Sequence, residues 1–201
     1  MTTTTDPVLT NLWVDLEATG LDEQPDAILE IGSIGTDQDL NILFEYTAVI
    51  RAPRAAINRM RANIFVRRMH QANGLFDEVD SYERWALLPD IAEVEGELIE
   101  KIMSFGDAMP GELILSGSGV SHYDNRFLKE HMPALSTLFN TREMLDTGAE
   151  RRAYKRATGG ELTSVNDKKP HRALDDVRLH LEEGRAQLAA RRAIAELTVN
   201  A

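Results

Sequence analysis

The sequence predicts a single α/β domain built on a mixed central sheet. Three segments near the N-terminus are rich in β-branched and apolar residues, and turns containing Gly, Asp or Pro separate them: 9–17, 27–36 and 40–50. Their spacing predicts an antiparallel meander of three strands. Helical and strand-like segments alternate after it, which is typical of an α/β fold. At 201 residues, the chain is long enough to form one well-buried domain.

The remaining elements are mostly helical. Pro89-Asp90 opens a long helix, because Asp90 as N-cap and Glu93 three residues later form a capping-box pattern. The final helix is predicted to start near His171, after a polar, turn-rich loop over 158–170. The other predictions are helices over 57–72, 75–85, 124–131 and 147–156, a short helix after Pro133, and strands over 113–116 and 143–145.

The domain is expected to span residues 9–190, between a flexible tail at 1–8 and a helix end or tail at 191–201. The first residues lack the basic and apolar regions of a secretory signal, and no apolar run has the length of a membrane span. There is no cysteine, which excludes disulfides and thiolate metal sites. We therefore expect a cytoplasmic protein that has no membrane partner.

The charge argues against a protein that coats duplex DNA. The net charge is −11, from 22 basic and 33 acidic residues. An enzyme that binds only a few nucleotides at a strand end needs few phosphate contacts, and bound cations can supply positive charge there. Basic residues cluster over 51–68 and 151–172. Their role stays open between guidance of a substrate and solvated helix faces.

Two carboxylates, Asp15 and Glu17, lie at positions i and i+2 at the end of the first apolar run. On a strand both side chains point to one face, whereas Leu12, Val14 and Leu16 point to the other. Such a pair is common on solvated strand faces. Carboxylates this close nevertheless repel each other, and a divalent cation between them is the usual solution.

Further acidic residues suggest where a cation site could be completed. Asp124 follows a strand-like run and a Gly/Ser loop, and Asp175 and Asp176 follow His171. Functional residues gather at such strand ends and helix starts in α/β folds. Oxygen ligands that converge select Mg²⁺ or Mn²⁺, and two such ions can act on a phosphodiester. His171 is the candidate base for the attacking water. Spacing alone does not separate Asp175 from Asp176.

Three motifs in this order resemble the DEDDh branch of the 3′→5′ exonucleases, and within it oligoribonuclease. They are Trp13-Val14-Asp15-Leu16-Glu17-Ala18-Thr19-Gly20-Leu21-Asp22, His122-Tyr123-Asp124-Asn125-Arg126-Phe127-Leu128 and His171-Arg172-Ala173-Leu174-Asp175-Asp176. The third motif of the family is His-x-x-x-x-Asp, which selects Asp176 over Asp175 and implies that His171 is the base. The resemblance extends from about residue 9 to 190 and includes the segments 27–31 and 70–75.

The resemblance implies a ribonuclease H-like fold and release of nucleoside 5′-monophosphates from a 3′ end. The substrates it implies are short oligoribonucleotides or single-stranded nucleic acid 3′ ends. It also implies a homodimer and two divalent cations, Mg²⁺ or Mn²⁺. The residues implied to bind these cations are Asp15, Glu17, Asp124 and Asp176.

Several residues resemble substrate contacts of that family. Leu21 corresponds to a leucine that wedges between the last two bases, and Phe65 stands where oligoribonuclease has a stacking tryptophan. Core packing is the alternative for Phe65. His70 lies close to this segment and is a further candidate contact. The turn after the first carboxylate pair would let the backbone approach the substrate, which adds Ala18, Thr19 and Gly20. A cap or surface role is the alternative for His70 and is the interpretation of His122, His131 and His180.

Two segments differ from the family pattern. Oligoribonuclease caps the 5′ phosphate of a short substrate with a Ser/Gln-bearing loop and with residues of a partner subunit. Residues 117–123 and 139–143 do not match these segments, which predicts that longer strands or DNA ends are accepted. The alternative functions are a proofreading exonuclease that works with a DNA polymerase, and a non-catalytic nucleic-acid-binding or scaffold module.

Overall fold

The computed structural model describes residues 7–106, 109–162 and 171–199. Within these ranges, five strands form one sheet with helices against both faces. The strands are β1 (Asn11–Ala18), β2 (Ile28–Thr36), β3 (Ile42–Val49), β4 (Leu113–Gly117) and β5 (Phe139–Asp146). The helices are α1 (Arg54–Ala62), α2 (Ile64–Ala72), α3 (Leu75–Asp80), α4 (Tyr82–Trp85), α5 (Ile91–Met103), α6 (Asp124–His131), α7 (Pro133–Ser136), α8 (Thr147–Thr158) and α9 (Ala173–Val199).

The sheet is mixed, as the sequence predicted. Its strand order is β3-β2-β1-β4-β5. The first three strands pair antiparallel, whereas β1 with β4 and β4 with β5 pair parallel. The parallel strands therefore end at one edge of the sheet, at Ala18, Gly117 and Asp146. Residues that follow such strand ends are brought together by the topology.

The two faces of β1 pack against different helices. Leu12, Val14 and Leu16 belong to a core that includes residues of α5 and α6, whereas Trp13 packs with Val177 and Leu181 of α9. Because the side chains of a strand alternate, Asp15 and Glu17 lie on the face of Trp13. The period of two predicted from the sequence is confirmed, and it turns the carboxylate pair toward α9.

Helix α9 lies unusually close to the sheet because two glycines leave room for it. A Cβ atom at Gly32 would lie 2.3 Å from the carbonyl carbon of Ala173, and one at Gly184 would lie 2.3 Å from Cη2 of Trp13. Gly32 is the cross-strand partner of Asp15. The start of α9 is therefore seated directly beside the carboxylate pair.

The helices predicted over 57–72 and 75–85 are each divided in two. The first divides at Asn63, whose side chain accepts hydrogen bonds from the backbone N–H groups of Phe65 and Val66 and so starts α2 as a new helix. The second divides at Ser81, whose hydroxyl caps α4. Both residues are good N-caps, and a cap inside a helical pattern is a place where a new helix can start.

Other element bounds also differ from the prediction. Strand β5 begins four residues before 143, since buried Phe139 pairs with Leu113 although the residues between are polar. Helix α9 begins at Ala173, because His171 has a left-handed backbone with φ of 53°. The same helix continues to Val199, which agrees with the helix end or tail expected over 191–201. In the predicted tail and loop, residues 1–6 and 163–170 lie outside the described residues.

None of the helices in the described part of the chain combines the length and the apolar character that crossing a bilayer requires.

We expect Gly32→Ala to destabilise the protein, because the added methyl group meets the backbone of α9. Overpacking of this kind reduces the free energy of unfolding by about 1–3 kcal/mol. Gly96→Ala is the matched control, since Gly96 is exposed inside α5 with no atom near its Cβ position. Alanine there should raise the free energy of unfolding by up to about 1 kcal/mol, because alanine favours a helix more than glycine does. Urea unfolding of both variants measures the difference. Equal stabilities would contradict the close packing of α9.

Candidate active site

Three side chains from two elements and a loop meet at the edge where β1 ends. Glu17, His171 and Asp176 each offer one potential ligand atom, and these atoms all lie within 4.8 Å of one another. Glu17 and Asp176 are buried, at 5% and 2% exposure, whereas His171 is exposed. Two nearly buried carboxylates and an accessible imidazole therefore share one small volume.

Asp124 and Asp15 border this cluster. Asp124 is buried at the start of α6, and its Oδ1 accepts a hydrogen bond of 3.1 Å from the backbone N–H of Leu16. This bond fixes the start of α6 against β1, between the two carboxylates of that strand. Asp15 faces α9, where Nδ1 of the buried His180 lies 3.8 Å from its Oδ1.

Burial and four carboxylates together raise the pKa of Tyr123. Burial raises the pKa of the Tyr123 hydroxyl, and the negative charges of Asp124, Glu17, Asp15 and Asp26 raise it further. The hydroxyl donates a hydrogen bond of 3.0 Å to the carbonyl of Gly20. Tyr123 therefore stays a neutral donor beside a concentration of negative charge.

The structure separates Asp175 from Asp176. Asp175 is exposed and accepts a hydrogen bond of 2.9 Å from Arg178, one turn further along α9. Asp176 is buried and points toward Glu17. Successive residues of a helix are about 100° apart around its axis, so only one of the two can face the sheet. The spacing of the sequence alone left this choice open.

The donor set fits a hard divalent cation. Glu17 and Asp176 supply carboxylate oxygens, and Asp15 and Asp124 add two more carboxylates at the same sheet edge. Mg²⁺ and Mn²⁺ prefer oxygen ligands of this kind. The nearness of Glu17 to Asp176 supports the fit, because a cation between two buried carboxylates offsets their repulsion.

The turn after β1 is held by hydrogen bonds on several sides. The Thr19 hydroxyl donates to Asp26 and accepts from the N–H of Ala27, both at 3.0 Å. From α6, Arg126 donates to the carbonyl of Leu21. Ala18, Thr19 and Gly20 are buried, so of the expected contacts in this turn only the side chain of Leu21 is exposed, at 75%.

Phe65 is on the surface, which excludes core packing for its ring. It is 78% exposed in the first turn of α2. It borders an open groove of about 740 Å³ that reaches His171. The groove is lined by Ile64, Phe65, Arg68, Met69, Ala72, Asn73 and His171. An exposed aromatic ring and the candidate base therefore share one continuous surface.

His70 lies behind the strand end, which differs from the surface contact expected from the sequence. Its ring is fully buried, with Nε2 2.9 Å from the carbonyl of Ala18 and Nδ1 3.7 Å from Oε2 of Glu17. Burial lowers the pKa of His70; the bond to Ala18 opposes this, and the charges of His171 and Arg172 add to the lowering. Because a carbonyl only accepts, Nε2 carries the proton.

The loop before Asp124 is tied to the end of β5. Asp146 accepts hydrogen bonds from the Ser121 hydroxyl at 2.6 Å, from the N–H of Gly119 at 3.0 Å and from the N–H of Ala149 at 2.9 Å. Burial raises the pKa of Asp146, but the bonds from Ser121, Gly119 and Ala149 outweigh it and lower that pKa below its ordinary value. The hydrogen-bond donors of this loop, the Gly119 N–H and the Ser121 hydroxyl, are therefore already bound to the negatively charged Asp146.

Sequence reasoning missed two residues of the site. His180 was interpreted as a surface or capping residue and is buried against Asp15. It stands four residues after Asp176, and this helical spacing was the signal that both face the sheet. Tyr123 was quoted only as part of a motif, and no pattern in one sequence indicates that its hydroxyl reaches Gly20.

Known structures share the fold of this chain. The complex of E. coli exonuclease I with single-stranded DNA superposes with a TM-score of 0.63 and 12% identity over 96% of this chain. The exonuclease I of Methylocaldum szegediense gives a TM-score of 0.62 and 16% identity over 87% of this chain. This chain spans less than half of each, 43% and 39% of their lengths. The likeness confirms the ribonuclease H-like fold.

Curated relatives are similar over most of their length. No family model matches the chain. The oligoribonuclease of Haemophilus ducreyi is 34% identical over 173 residues, which cover 86% of this chain and 88% of that protein. The oligoribonuclease of Streptomyces avermitilis is 35% identical over 177 residues, or 86% of this chain and 82% of that protein. The chain therefore belongs to the oligoribonuclease family of 3′→5′ exonucleases.

Proposed function

We propose that this protein removes nucleoside 5′-monophosphates from the 3′ ends of short or single-stranded RNA or DNA, with two divalent cations, Mg²⁺ or Mn²⁺, as cofactors. The cations would be bound by Asp15, Glu17, Asp124 and Asp176. The observation that carries the proposal is the grouping of Glu17, Asp176 and His171 within 4.8 Å. It combines the ligand type that such cations need with a titratable side chain that solvent can reach.

Each side chain has a separate task in this mechanism. Asp15, Glu17, Asp124 and Asp176 would hold the two cations, which would supply Lewis-acid activation of the attacking water and stabilisation of the charge on the leaving oxygen. His171 accepts the proton of the water at a ring nitrogen, and its exposure lets that proton pass on to solvent. Asp124 also fixes α6 through its bond to the N–H of Leu16.

The proposed substrate contacts lie on both sides of His171. Phe65 offers a ring on which a base can stack, and Leu21 offers an exposed apolar side chain on a turn that Arg126 and Thr19 stabilise. Ala18, Thr19 and Gly20 contribute by shaping this turn. His70 contributes indirectly, because it holds the Ala18 carbonyl and contacts Glu17 from behind.

The substrate is proposed to extend beyond two nucleotides. The loop over 117–123 departs from the family pattern for a 5′-phosphate cap, and its Ser121 and Gly119 donors already bind Asp146. The charge of Asp146 also repels a terminal phosphate. Single strands of several nucleotides, of RNA or DNA, therefore fit the site.

Homodimerisation and a cytoplasmic location stay expectations of the resemblance and of the sequence composition. A proofreading enzyme would differ from the proposed one in a way that can be measured, since its activity on free oligonucleotides would rise strongly with its polymerase. A scaffold module would bind nucleic acid without hydrolysing it.

We expect Asp176→Asn and His171→Ala each to lower kcat by about 10²-fold or more, because one weakens the cation site and the other removes the base. Asp175→Asn is the matched control on the neighbouring, exposed carboxylate and should leave kcat unchanged. The assay follows the shortening of a 5′-labelled oligonucleotide with Mn²⁺ or Mg²⁺, and excess EDTA should abolish it. Full activity of either site variant would refute the proposed mechanism.

We expect Phe65→Ala to raise KM at least about fivefold with a smaller change in kcat, since base stacking on an aromatic ring contributes about 1–3 kcal/mol. Phe65→Trp should retain the wild-type KM or lower it. Leu87→Ala provides a control for loss of an exposed apolar side chain, because Leu87 is 87% exposed and does not line the groove. Steady-state kinetics on a five-nucleotide strand measure these effects. If the KM of Phe65→Ala equals that of wild type, the groove is not a base-binding surface.

We expect kcat/KM to vary by less than about tenfold between strands of two, three, five and ten nucleotides, which corresponds to about 1.4 kcal/mol. The reason is that the donors before Asp124 are bound to Asp146. RNA and DNA series with Mn²⁺ and Mg²⁺ test this, and Ser121→Ala should change all lengths equally. A preference for dinucleotides of about 10²-fold or more would show that a phosphate cap exists after all.

A further inference from the structure

Arg172, the residue after His171, is fastened between two carboxylates from other elements. Its Nη2 and Nε lie 2.8 and 3.1 Å from Oε1 of Glu30 on β2, and Nη1 lies 2.8 Å from Oε1 of Glu78 on α3. All three nitrogen atoms of the guanidinium group are therefore engaged. Bidentate pairing of this kind fixes orientation as well as position.

Glu30 joins this pair to the candidate cation site. It is 3% exposed and is the cross-strand partner of Glu17, so the two side chains leave the same face of the sheet. Glu30 also accepts a hydrogen bond of 3.2 Å from the N–H of Ala173, the first residue of α9. One buried carboxylate thus fixes both the side chain of Arg172 and the start of the helix that carries Asp176.

The side chain of His171 is exposed, whereas its backbone is fixed by neighbouring elements. Its φ of 53° is sparsely populated by residues other than glycine, so neighbouring contacts must maintain it. The side chain of Asn73, at the end of α2, donates a hydrogen bond to the His171 carbonyl. Arg172 fixes the next residue. The backbone of His171 is therefore held on one side from α2 and on the other from β2 and α3.

We propose that Arg172, bound by Glu30 and Glu78, is a positioning residue that sets the place of the His171 imidazole relative to Glu17 and Asp176. This inference rests on the proposed function above, in which His171 is the base. Arg172 does not act on the substrate directly, because its nitrogen atoms are already bound to carboxylates. A displacement of about 1 Å in a catalytic group can lower the rate by about 10²-fold. Loss of the ion pairs that hold Arg172, the residue next to the base, is therefore expected to lower the rate.

The positive charge of Arg172 also neutralises the buried carboxylate of Glu30. Glu30 would otherwise add a further buried negative charge beside Glu17. Arg172 neutralises it, which leaves Glu17 and Asp176 as the carboxylates that face His171. Pairing also avoids the large penalty of a buried carboxylate without a counter-charge.

The test compares Arg172→Met with Arg178→Met, each made in the wild type and in His171→Ala. Arg178 lies in the second turn of α9 and binds the exposed carboxylates Glu45 and Asp175, so it controls for loss of a nearby arginine ion pair. We expect Arg172→Met to lower kcat about tenfold with KM within about threefold, and Arg178→Met to change neither. In His171→Ala, whose residual rate is measured by single turnover, Arg172→Met should cause no further loss.

A second variant keeps the inference testable if Arg172→Met does not fold, which circular dichroism would reveal. Glu78→Gln removes the charge of only the more exposed of the two carboxylates that bind Arg172, and it should lower kcat about threefold, again only when His171 is present. Wild-type kcat in Arg172→Met, or an equal loss with and without His171, would overturn the inference while the inactivity of His171→Ala still supports the proposed function. Full activity of His171→Ala would overturn both.

Discussion

The contact between the start of α9 and strand β2 is the constraint on which the rest of the site depends. Gly32 lets the backbone of Ala173 come to a distance at which a Cβ atom would clash. Because Gly32 pairs with Asp15, the approach puts the buried face of α9 over the carboxylates of β1. Asp176 then meets Glu17, and His180 meets Asp15. A larger residue at this one position would separate the helix from all of these partners.

The concentration of negative charge at this edge requires compensation from several directions. The N–H of Leu16 donates to Asp124, and Arg172 neutralises Glu30. These groups leave the carboxylates charged and oriented, which is what a hard cation needs. Burial and the same charge raise the pKa of Tyr123, whose neutral hydroxyl donates a hydrogen bond to the turn that presents Leu21. The candidate cation site and Leu21, the proposed contact for a substrate base, are therefore linked through Tyr123, the residue before α6.

Much of this arrangement follows from local patterns in the sequence. The alternation of Leu12, Val14 and Leu16 with the carboxylate pair gave the strand and its two faces, and the capping box at Asp90 gave the start of α5. Local patterns in the sequence do not predict contacts between distant segments. Arg172 and Glu30 are 142 residues apart, and nothing in either segment indicates that they pair. The burial of His70 could not be predicted either, because nothing in the sequence around a single histidine in a helix indicates whether it is buried. The hydrogen bonds between the loop over 117–123 and Asp146 likewise depend on the tertiary fold.

Asp15, Glu17, Asp124 and Asp176 are proposed to bind divalent cations in the folded protein. Isothermal calorimetry with Mn²⁺ tests it without any substrate, and Asp15→Asn provides the comparison. We expect two Mn²⁺ ions per chain for the wild type and weaker or incomplete binding for the variant. Absence of Mn²⁺ binding to the wild type, or identical isotherms for the two proteins, would contradict it.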